Sequence, residues 1–230
     1  MKRFFKEAAV EAAESGYRVC LDGRPVRTPG RMEMILPTAA LAAASAAEWN
    51  GQGDKLDMAT MPMTAFAYAA IERVSQTPET FIEEIARIAQ TDLVCYRAAS
   101  PALLRQVQDA AWSPLLAWLR DRHGAALTVV DGIMPVAQPP KALDAIQAQL
   151  DRLDPYRLTA GHAAAQVAGS AVVALALLDG RLDALAASQA AEVDLAFQLE
   201  HWGEDADARK LLTRRQADMA DIGAFIESLR

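Results

Sequence analysis

The sequence predicts an α+β protein: a small N-terminal antiparallel sheet with one helix, followed by a larger all-helical domain. Up to Leu36 the chain alternates apolar and polar residues in short runs that are separated by turn dipeptides. Beyond Pro62 the apolar residues recur at helical spacing, and the composition is rich in alanine with 6% aromatic residues. This change of pattern predicts an N-terminal α+β domain over residues 1–74 and a helical C-terminal domain over residues 75–230.

The predicted sheet consists of three or four short strands. Asp22-Gly23 suits a tight hairpin turn, and Pro29-Gly30 supplies a second turn. The extended runs are residues 3–10, 17–21, 26–28 and 32–36. Thr38 is the expected N-cap of a helix that extends to Trp49, and a polar, glycine-containing loop over residues 51–60 follows.

The helical domain is predicted from its start signals and its apolar faces. Helices are expected to start at Thr77-Pro78, Ser100-Pro101 and Ser113-Pro114, where proline loses no needed hydrogen bond. Residues 127–136 suit a brief hairpin or an extended segment, and residues 139–153, 181–202 and 204–229 are predicted to be helical. Residues 163–178 predict one buried central helix, since this apolar run is shorter than the roughly 20 residues that a bilayer requires.

Charge and cysteine usage narrow the classes of partner and compartment. A net charge of −7 argues against nucleic acid as a partner, because duplex binding requires a cationic face. Cys20 and Cys95 are far apart and predict neither a disulfide framework nor a thiolate metal site. The N-terminal residues match neither a signal peptide nor a transit peptide, so we expect the protein to stay in the compartment where it is made.

The sequence contains no strong pattern for metal, phosphate or nucleophilic chemistry. His123, His162 and His201 are widely separated, and no phosphate-binding loop or nucleophile elbow is present. We therefore predict no cofactor, no metal and no catalytic residue. Asp92, in Thr91-Asp92, is either a catalytic carboxylate or, as we favour, part of a turn in which its side chain binds nearby backbone groups.

Glu200 is the residue whose position is least well explained by local structure. It lies near the end of its own predicted helix, where the negative end of the helix dipole disfavours a carboxylate. Glu204 and Asp205, by contrast, suit the positive N-terminus of the next helix. The unfavourable placement of Glu200 indicates that another molecule uses its charge.

Several motifs, read together, resemble one family of assembly chaperones. The chain contains LDGRPVRTPGR from Leu21, LPT from Leu36, EW from Glu48, MPMT from Met61 and TDLVCYRA from Thr91. It continues with W-x-P-L-L from Trp112, GS at Gly169 and FQLEHWGED from Phe197. This order resembles the chaperones for the alpha subunit of the F-type ATP synthase's soluble sector, the ATP-twelve family, over nearly the whole chain.

The resemblance implies a non-enzymatic role and a polypeptide partner. Such chaperones bind the free alpha subunit and cover the surface that pairing with the beta subunit will bury. The resemblance marks Glu200 as a functional position, and we expect Asp205 beside it to contact the partner as well. Trp202 either adds apolar contact area there or packs in the core. Arg27 and Arg31 form either a second client contact or a solvated sheet face, where arginines also block sheet-to-sheet pairing. We expect a monomer in a bacterial cytoplasm that does not insert stably into membranes, whereas eukaryotic relatives would be in the mitochondrial matrix.

Two other functions remain open at this point. One is a small hydrolase or transferase that uses Asp92, Glu200 or His201 for acid–base chemistry. The other is a membrane-associated helical protein in which residues 163–178 face lipid.

Overall fold

The structure, a computed structural model, describes residues 2–203 and 205–230, with the side chain of Trp202 outside the described part. The strands are β1 (Ala8–Ala13), β2 (Gly16–Leu21), β3 (Arg24–Pro25), β4 (Tyr96–Arg97) and β5 (Val130–Asp131). The helices are α1 (Ala39–Asn50), α2 (Pro62–Ala69), α3 (Pro78–Gln90), α4 (Ala102–His123), α5 (Pro140–Leu150), α6 (Pro155–Ala168), α7 (Ala171–Leu178), α8 (Ala184–Ala191), α9 (Val193–Trp202) and α10 (Ala206–Ser228). The predicted α+β class, with an N-terminal antiparallel sheet followed by helices, is confirmed.

The N-terminal sheet is antiparallel in the order β1-β2-β3. Asp22 and Gly23 join β2 to β3 with φ angles of 49° and 79°, which matches the left-handed turn that suits a twisted hairpin. The return strand is shorter than predicted and lies at Arg24–Pro25 rather than over residues 26–28. The run over residues 32–36 forms no strand of its own and contributes isolated bridges, including Tyr17 with Leu36.

Two compact units contain the described residues. The first comprises Met1–Pro78, Asp154–Ala160 and Ala224–Arg230, and the second comprises Glu79–Leu153 and Gly161–Gly223. The end of the chain packs in the first unit, where the rings of Phe66 and Phe225 lie 5.1 Å apart. The division of the chain at residue 75 stays a prediction.

Helix α1 of the first unit holds the next helix in place through Glu48. The Glu48 carboxylate accepts hydrogen bonds from the backbone N–H groups of Met63 (2.6 Å) and Thr64 (2.8 Å), at the start of α2. Ser45 and Thr64 form a buried hydroxyl contact of 2.7 Å beside it. The carboxylate thus satisfies donors that the first turn of a helix leaves without intrahelical partners.

The single helix predicted over residues 163–178 is wrong. Helix α6 ends at Ala168, Gly169 has a φ of 62°, and α7 begins after Ser170. Ser170 Oγ accepts a hydrogen bond from Val173 N at 3.1 Å, so a serine cap starts the second helix. All residues of α7 are buried, as expected for a central helix.

Asp92 is fully buried at the N-terminus of α7 in the second unit. Its carboxylate accepts hydrogen bonds from Ser170 Oγ (2.6 Å), Val172 N (3.1 Å) and Val94 N (3.2 Å). Burial raises the pKa of Asp92 to about 6, although these hydrogen bonds oppose the rise. The interpretation of Asp92 as a residue that binds nearby backbone groups is confirmed.

Two predicted helices of the second unit are wrong in part, and the structure decides between the two alternatives for residues 127–136. Pro114 lies inside α4 and starts no helix, because buried Trp112 and Leu115 continue one packed face through it. The helix predicted over residues 181–202 is interrupted at Glu192, which is buried and accepts a hydrogen bond from Arg215 at 3.0 Å. Residues 127–136 are extended rather than a hairpin, since β5 pairs in parallel with β4.

Neither a membrane span nor a metal cluster is found within residues 2–203 and 205–230. No helix there is long and apolar enough to cross a bilayer. No group of three or more His, Cys, Asp or Glu side chains in the same residues is placed to hold a metal ion.

Replacing Glu48 by alanine should lower the free energy of unfolding by about 2 kcal/mol, because two backbone donors at the start of α2 lose their acceptor. Urea unfolding followed by circular dichroism measures the change. Glu14→Ala is the matched control, since Glu14 is exposed in the hairpin turn, and it should change stability by less than about 0.5 kcal/mol. Equal effects of the two substitutions would show that Glu48 does not support α2.

Asp92 should make the protein more stable as the pH falls from about 7.5 to about 4.5. The folded-state pKa of about 6 lies above the ordinary value of 3.8, so the folded protein binds this proton first. The contribution is therefore fully present below about pH 4 and is lost as the pH rises through about 6. Relative to Asp92→Asn, the free energy of unfolding should rise by about 2 kcal/mol over this range.

Urea titrations at several pH values test this linkage. Ser170→Ala keeps the carboxylate, so it should retain the rise in stability toward low pH while lowering stability by about 1–2 kcal/mol. If Asp92→Asn does not fold, the pH dependence of stability is measured in wild type and Ser170→Ala instead. A stability difference between wild type and Asp92→Asn that is the same at every pH would contradict the raised pKa.

Candidate functional site

The end of α9 and the start of α10 form an exposed corner, here called the α9–α10 corner and defined by Glu200, His201, Gly203 and Asp205. Helix α9 ends at Trp202, and Gly203 has a φ of 101°. Asp205 accepts hydrogen bonds from Asp207 N at 2.8 Å and Ala208 N at 3.3 Å, so it caps α10. A glycine with a positive φ thus follows the end of α9, and a capping carboxylate precedes α10.

Glu200 lies in the last turn of α9 with its side chain exposed. Within the described residues, no hydrogen bond or ion pair engages its carboxylate. The helix dipole disfavours a negative charge at this end of a helix, and no ion pair with another described residue compensates. The carboxylate is consequently available to a cationic group on another molecule.

His201 is held by its own helix. Its ring stacks on that of Phe197, with centroids 3.9 Å apart and planes inclined by 13°. Its Nδ1 lies 3.0 Å from the Phe197 backbone oxygen. This contact with a buried phenylalanine ring fixes the imidazole on the surface of α9.

Helix α9 also borders a cleft of about 410 Å³, here called the α9 cleft. Asp194 and Gln198 line it from α9, Gln108 lines it from α4, and Ile133 lines it from the loop after β5. Gln108 donates a hydrogen bond to Asp194 Oδ1 at 2.7 Å, which joins α4 to α9. Glu200 thus lies on a helix that is fixed at its base by a polar contact.

Large apolar side chains are exposed in the second unit, and one of them, Ile133, lines the α9 cleft. Ile133 is 90% exposed and Met134 is 74% exposed, in the loop that follows β5. Leu103 and Val107, one turn apart on α4, are also exposed. We call these four residues the apolar ledge. A flexible methionine and branched aliphatic side chains suit contact with an apolar protein surface.

The predicted arginine contacts lie in the first unit. Arg27 and Arg31 are both exposed, and Arg27 Nη1 donates a hydrogen bond to the Arg31 backbone oxygen at 3.0 Å. Arg31 has a φ of 67°, so this hydrogen bond spans a tight left-handed turn. Most of the guanidinium donors of Arg27 remain available in addition to this bond.

The residues suggested for acid–base catalysis form no described constellation. Both oxygens of the buried Asp92 carboxylate accept hydrogen bonds within the second unit, whereas Glu200 and His201 are exposed on α9. No described hydrogen bond joins Asp92 to either residue.

The sequence pattern singles out Glu200, whose role stays a prediction, but it does not single out the apolar ledge. The pair Ile133-Met134 follows Asp131-Gly132, and that turn signal indicated that these apolar residues belong to a strand or hairpin. Asp205 is predicted as a partner contact and is found as a helix cap, two roles that an exposed carboxylate can combine. The predicted contact at Trp202 concerns a side chain that lies outside the described part of the chain.

Comparisons with known proteins agree on one family. The family described as ATP12 chaperone protein matches residues 2–120. The crystal structure of Atp12 from Paracoccus denitrificans is similar with a TM-score of 0.95 and 37% identity, covering 100% of this chain and 98% of that one. A protein from Agrobacterium tumefaciens is similar with a TM-score of 0.94 and 35% identity, covering 100% of this chain and 86% of that one.

A curated relative extends the likeness to eukaryotes. The mitochondrial protein atp12 of Schizosaccharomyces pombe is 24% identical over 245 residues, which cover 99% of this chain and 84% of that protein. The resemblance drawn from the motifs is therefore confirmed along the chain. The chain belongs to the ATP12 family of ATP synthase assembly chaperones.

Proposed function

We propose that this protein binds the unassembled alpha subunit of the soluble sector of F-type ATP synthase and shields its subunit interface until the beta subunit replaces it. The observation that carries the proposal is the exposed Glu200 carboxylate, which has no partner within the described residues. Its helix also borders the α9 cleft, in the unit that carries the apolar ledge. A chaperone that covers an apolar subunit interface needs apolar area to bind it and a charged group to orient it.

The need for a shield follows from the nature of obligate interfaces. Subunits that function only in a complex bury large apolar surfaces, and an orphan subunit exposes this area to water. Such a patch promotes aggregation unless another protein covers it. The apolar ledge supplies area of the same chemical kind, including the 90% exposed side chain of Ile133.

Glu200 gives the contact its direction. A carboxylate that accepts a charge-assisted hydrogen bond from an arginine or lysine of the client restricts both partner and orientation. Trp202 and Asp205 would contribute beside it in the α9–α10 corner. Arg27 and Arg31 would form a second contact through the first unit.

This activity requires neither cofactor nor metal and is stoichiometric rather than enzymatic. We propose that the protein acts as a monomer in a bacterial cytoplasm, where it meets newly made alpha subunits. Release requires that the beta subunit bind the client surface more tightly than this chaperone does, because specificity is a difference between affinities.

Glu200→Lys should weaken binding of the alpha subunit at least tenfold, because it places a cation where the client presents one. The substitution should not destabilise the fold, since a lysine is favoured over a glutamate at a helix C-terminus by a few tenths of a kcal/mol. Co-expression with tagged alpha subunit, followed by quantification of soluble alpha subunit and copurifying chaperone, measures the loss. Thermal unfolding measures the fold.

Asp144→Lys is the matched control, because Asp144 is an exposed carboxylate on α5 of the same unit. It should leave copurification unchanged. If Glu200→Lys and Asp144→Lys bind the alpha subunit equally well, Glu200 is not the contact. If wild type itself does not increase soluble alpha subunit, the proposed function is wrong.

A further inference from the structure

We infer that a groove in the first unit binds an extended acidic peptide segment through one large apolar side chain and a flanking carboxylate. The groove has a volume of about 620 Å³ and is formed by the N-terminal segment, the β2–β3 hairpin and the end of α1. This volume lies within the range of sites that bind a side chain or small ligand, roughly 300–1,000 Å³. The groove involves neither the α9–α10 corner nor the apolar ledge.

The floor of the groove is aromatic. Phe5 and Trp49 pack edge to face with centroids 5.7 Å apart, and Tyr68 also lines the groove. A large apolar side chain of a bound segment would contact these rings.

The lip of the groove is apolar and exposed. Phe4 is 64% exposed and Met58 is 42% exposed, and both line the same groove. A ligand that extends past the cavity covers more of these two exposed side chains than one that only fills it. A chain that crosses the lip covers them, so the exposed lip favours an extended peptide over a small molecule.

The rim of the groove is basic within an acidic chain. Arg24 and Arg27 line it, whereas the protein as a whole has a net charge of −7. Asp22 is the acid among the lining residues, and its carboxylate accepts hydrogen bonds from the backbone N–H groups of Lys6 and Glu7. The guanidinium groups therefore favour a carboxylate on the bound segment, and their planar donors match its geometry.

This inference rests on the proposed function only in taking a polypeptide as the natural ligand. It adds an acid-selective peptide site in the first unit to the client contact at Glu200. The two sites differ in sign, since Glu200 selects a cation on the client whereas Arg24 and Arg27 select an anion.

Fluorescence anisotropy with the full chain tests the groove directly. The probe is a fluorescein-labelled peptide, Gly-Asp-Leu-Phe-Glu-Gly, compared with one carrying lysine in place of both acids and one carrying alanine in place of Leu-Phe. Wild type should bind the acidic apolar peptide at least tenfold more tightly than either comparison peptide. Arg24→Glu should lower that affinity at least tenfold, and Phe4→Ser should lower it severalfold.

Matched variants keep the result interpretable. Arg181→Glu reverses an exposed arginine of the second unit and should bind the peptide as wild type does. Arg24 and Phe4 are exposed, so their variants should fold, which thermal unfolding verifies. Equal binding of the acidic and lysine peptides, unchanged affinity in Arg24→Glu, or no saturable binding up to about 1 mM would overturn the inference.

Two further measurements complete the test: binding of the alpha subunit, and sedimentation of the protein alone to detect self-association. If the alpha subunit binds wild type but the peptide does not, the groove inference alone fails. If the peptide binds selectively but the alpha subunit does not, the proposed function fails and the groove stands. Sedimentation that shows a dimer dissociated by Phe4→Ser would assign the groove to self-association and overturn the inference.

Discussion

The second unit depends on one buried carboxylate. Asp92 lies in the turn that follows α3, and it anchors the N-terminus of α7 through Ser170 and Val172. Helix α7 is buried along its whole length, so it has no polar face with which to fix its own position. Apolar contacts are non-directional, so they specify the position of such a helix less sharply than hydrogen bonds do. The hydrogen bonds to Asp92 fix the position of the N-terminus of α7. They require a buried carboxyl group, and burial raises its pKa to about 6.

The side chains of the motifs that identify the family are of two kinds: some bind other segments of the chain, and Glu200 does not. Glu48 of EW accepts hydrogen bonds from the backbone of MPMT, and Asp92 of TDLVCYRA accepts them from Ser170 and the start of the helix that follows it. Arg97 is 1% exposed and donates a hydrogen bond to Asp109 Oδ1 at 2.7 Å. These polar groups connect pairs of segments that are distant in sequence. Glu200 of FQLEHWGED differs from all of them, since it is exposed and connects nothing within the described chain.

Elements determined by local chemistry could be predicted from the sequence, and elements determined by tertiary partners could not. Asp22-Gly23 adopts the expected left-handed turn, and Thr38 caps α1 through Leu41 N at 3.1 Å, because both depend on neighbouring residues. The break at Ser170 depends on Asp92, which is distant in sequence. The break at Glu192 involves Arg215 in the same way. At the site, the helix-end position of Glu200 revealed its unusual charge, but the exposure of Ile133 depends on a parallel pairing that no local pattern specifies.

A chaperone that must later release its client benefits from separating what holds its own fold from what holds the partner. Its internal polar contacts are buried or partly buried, so they are insensitive to the client's arrival. Its proposed outward contacts combine an exposed carboxylate, whose charge is screened by salt and water, with a limited apolar area. Surface charges give selectivity and orientation but little net affinity, whereas an obligate subunit interface gains far more from extensive apolar burial. In the proposed function, the beta subunit would displace the chaperone by burying more apolar area on the client.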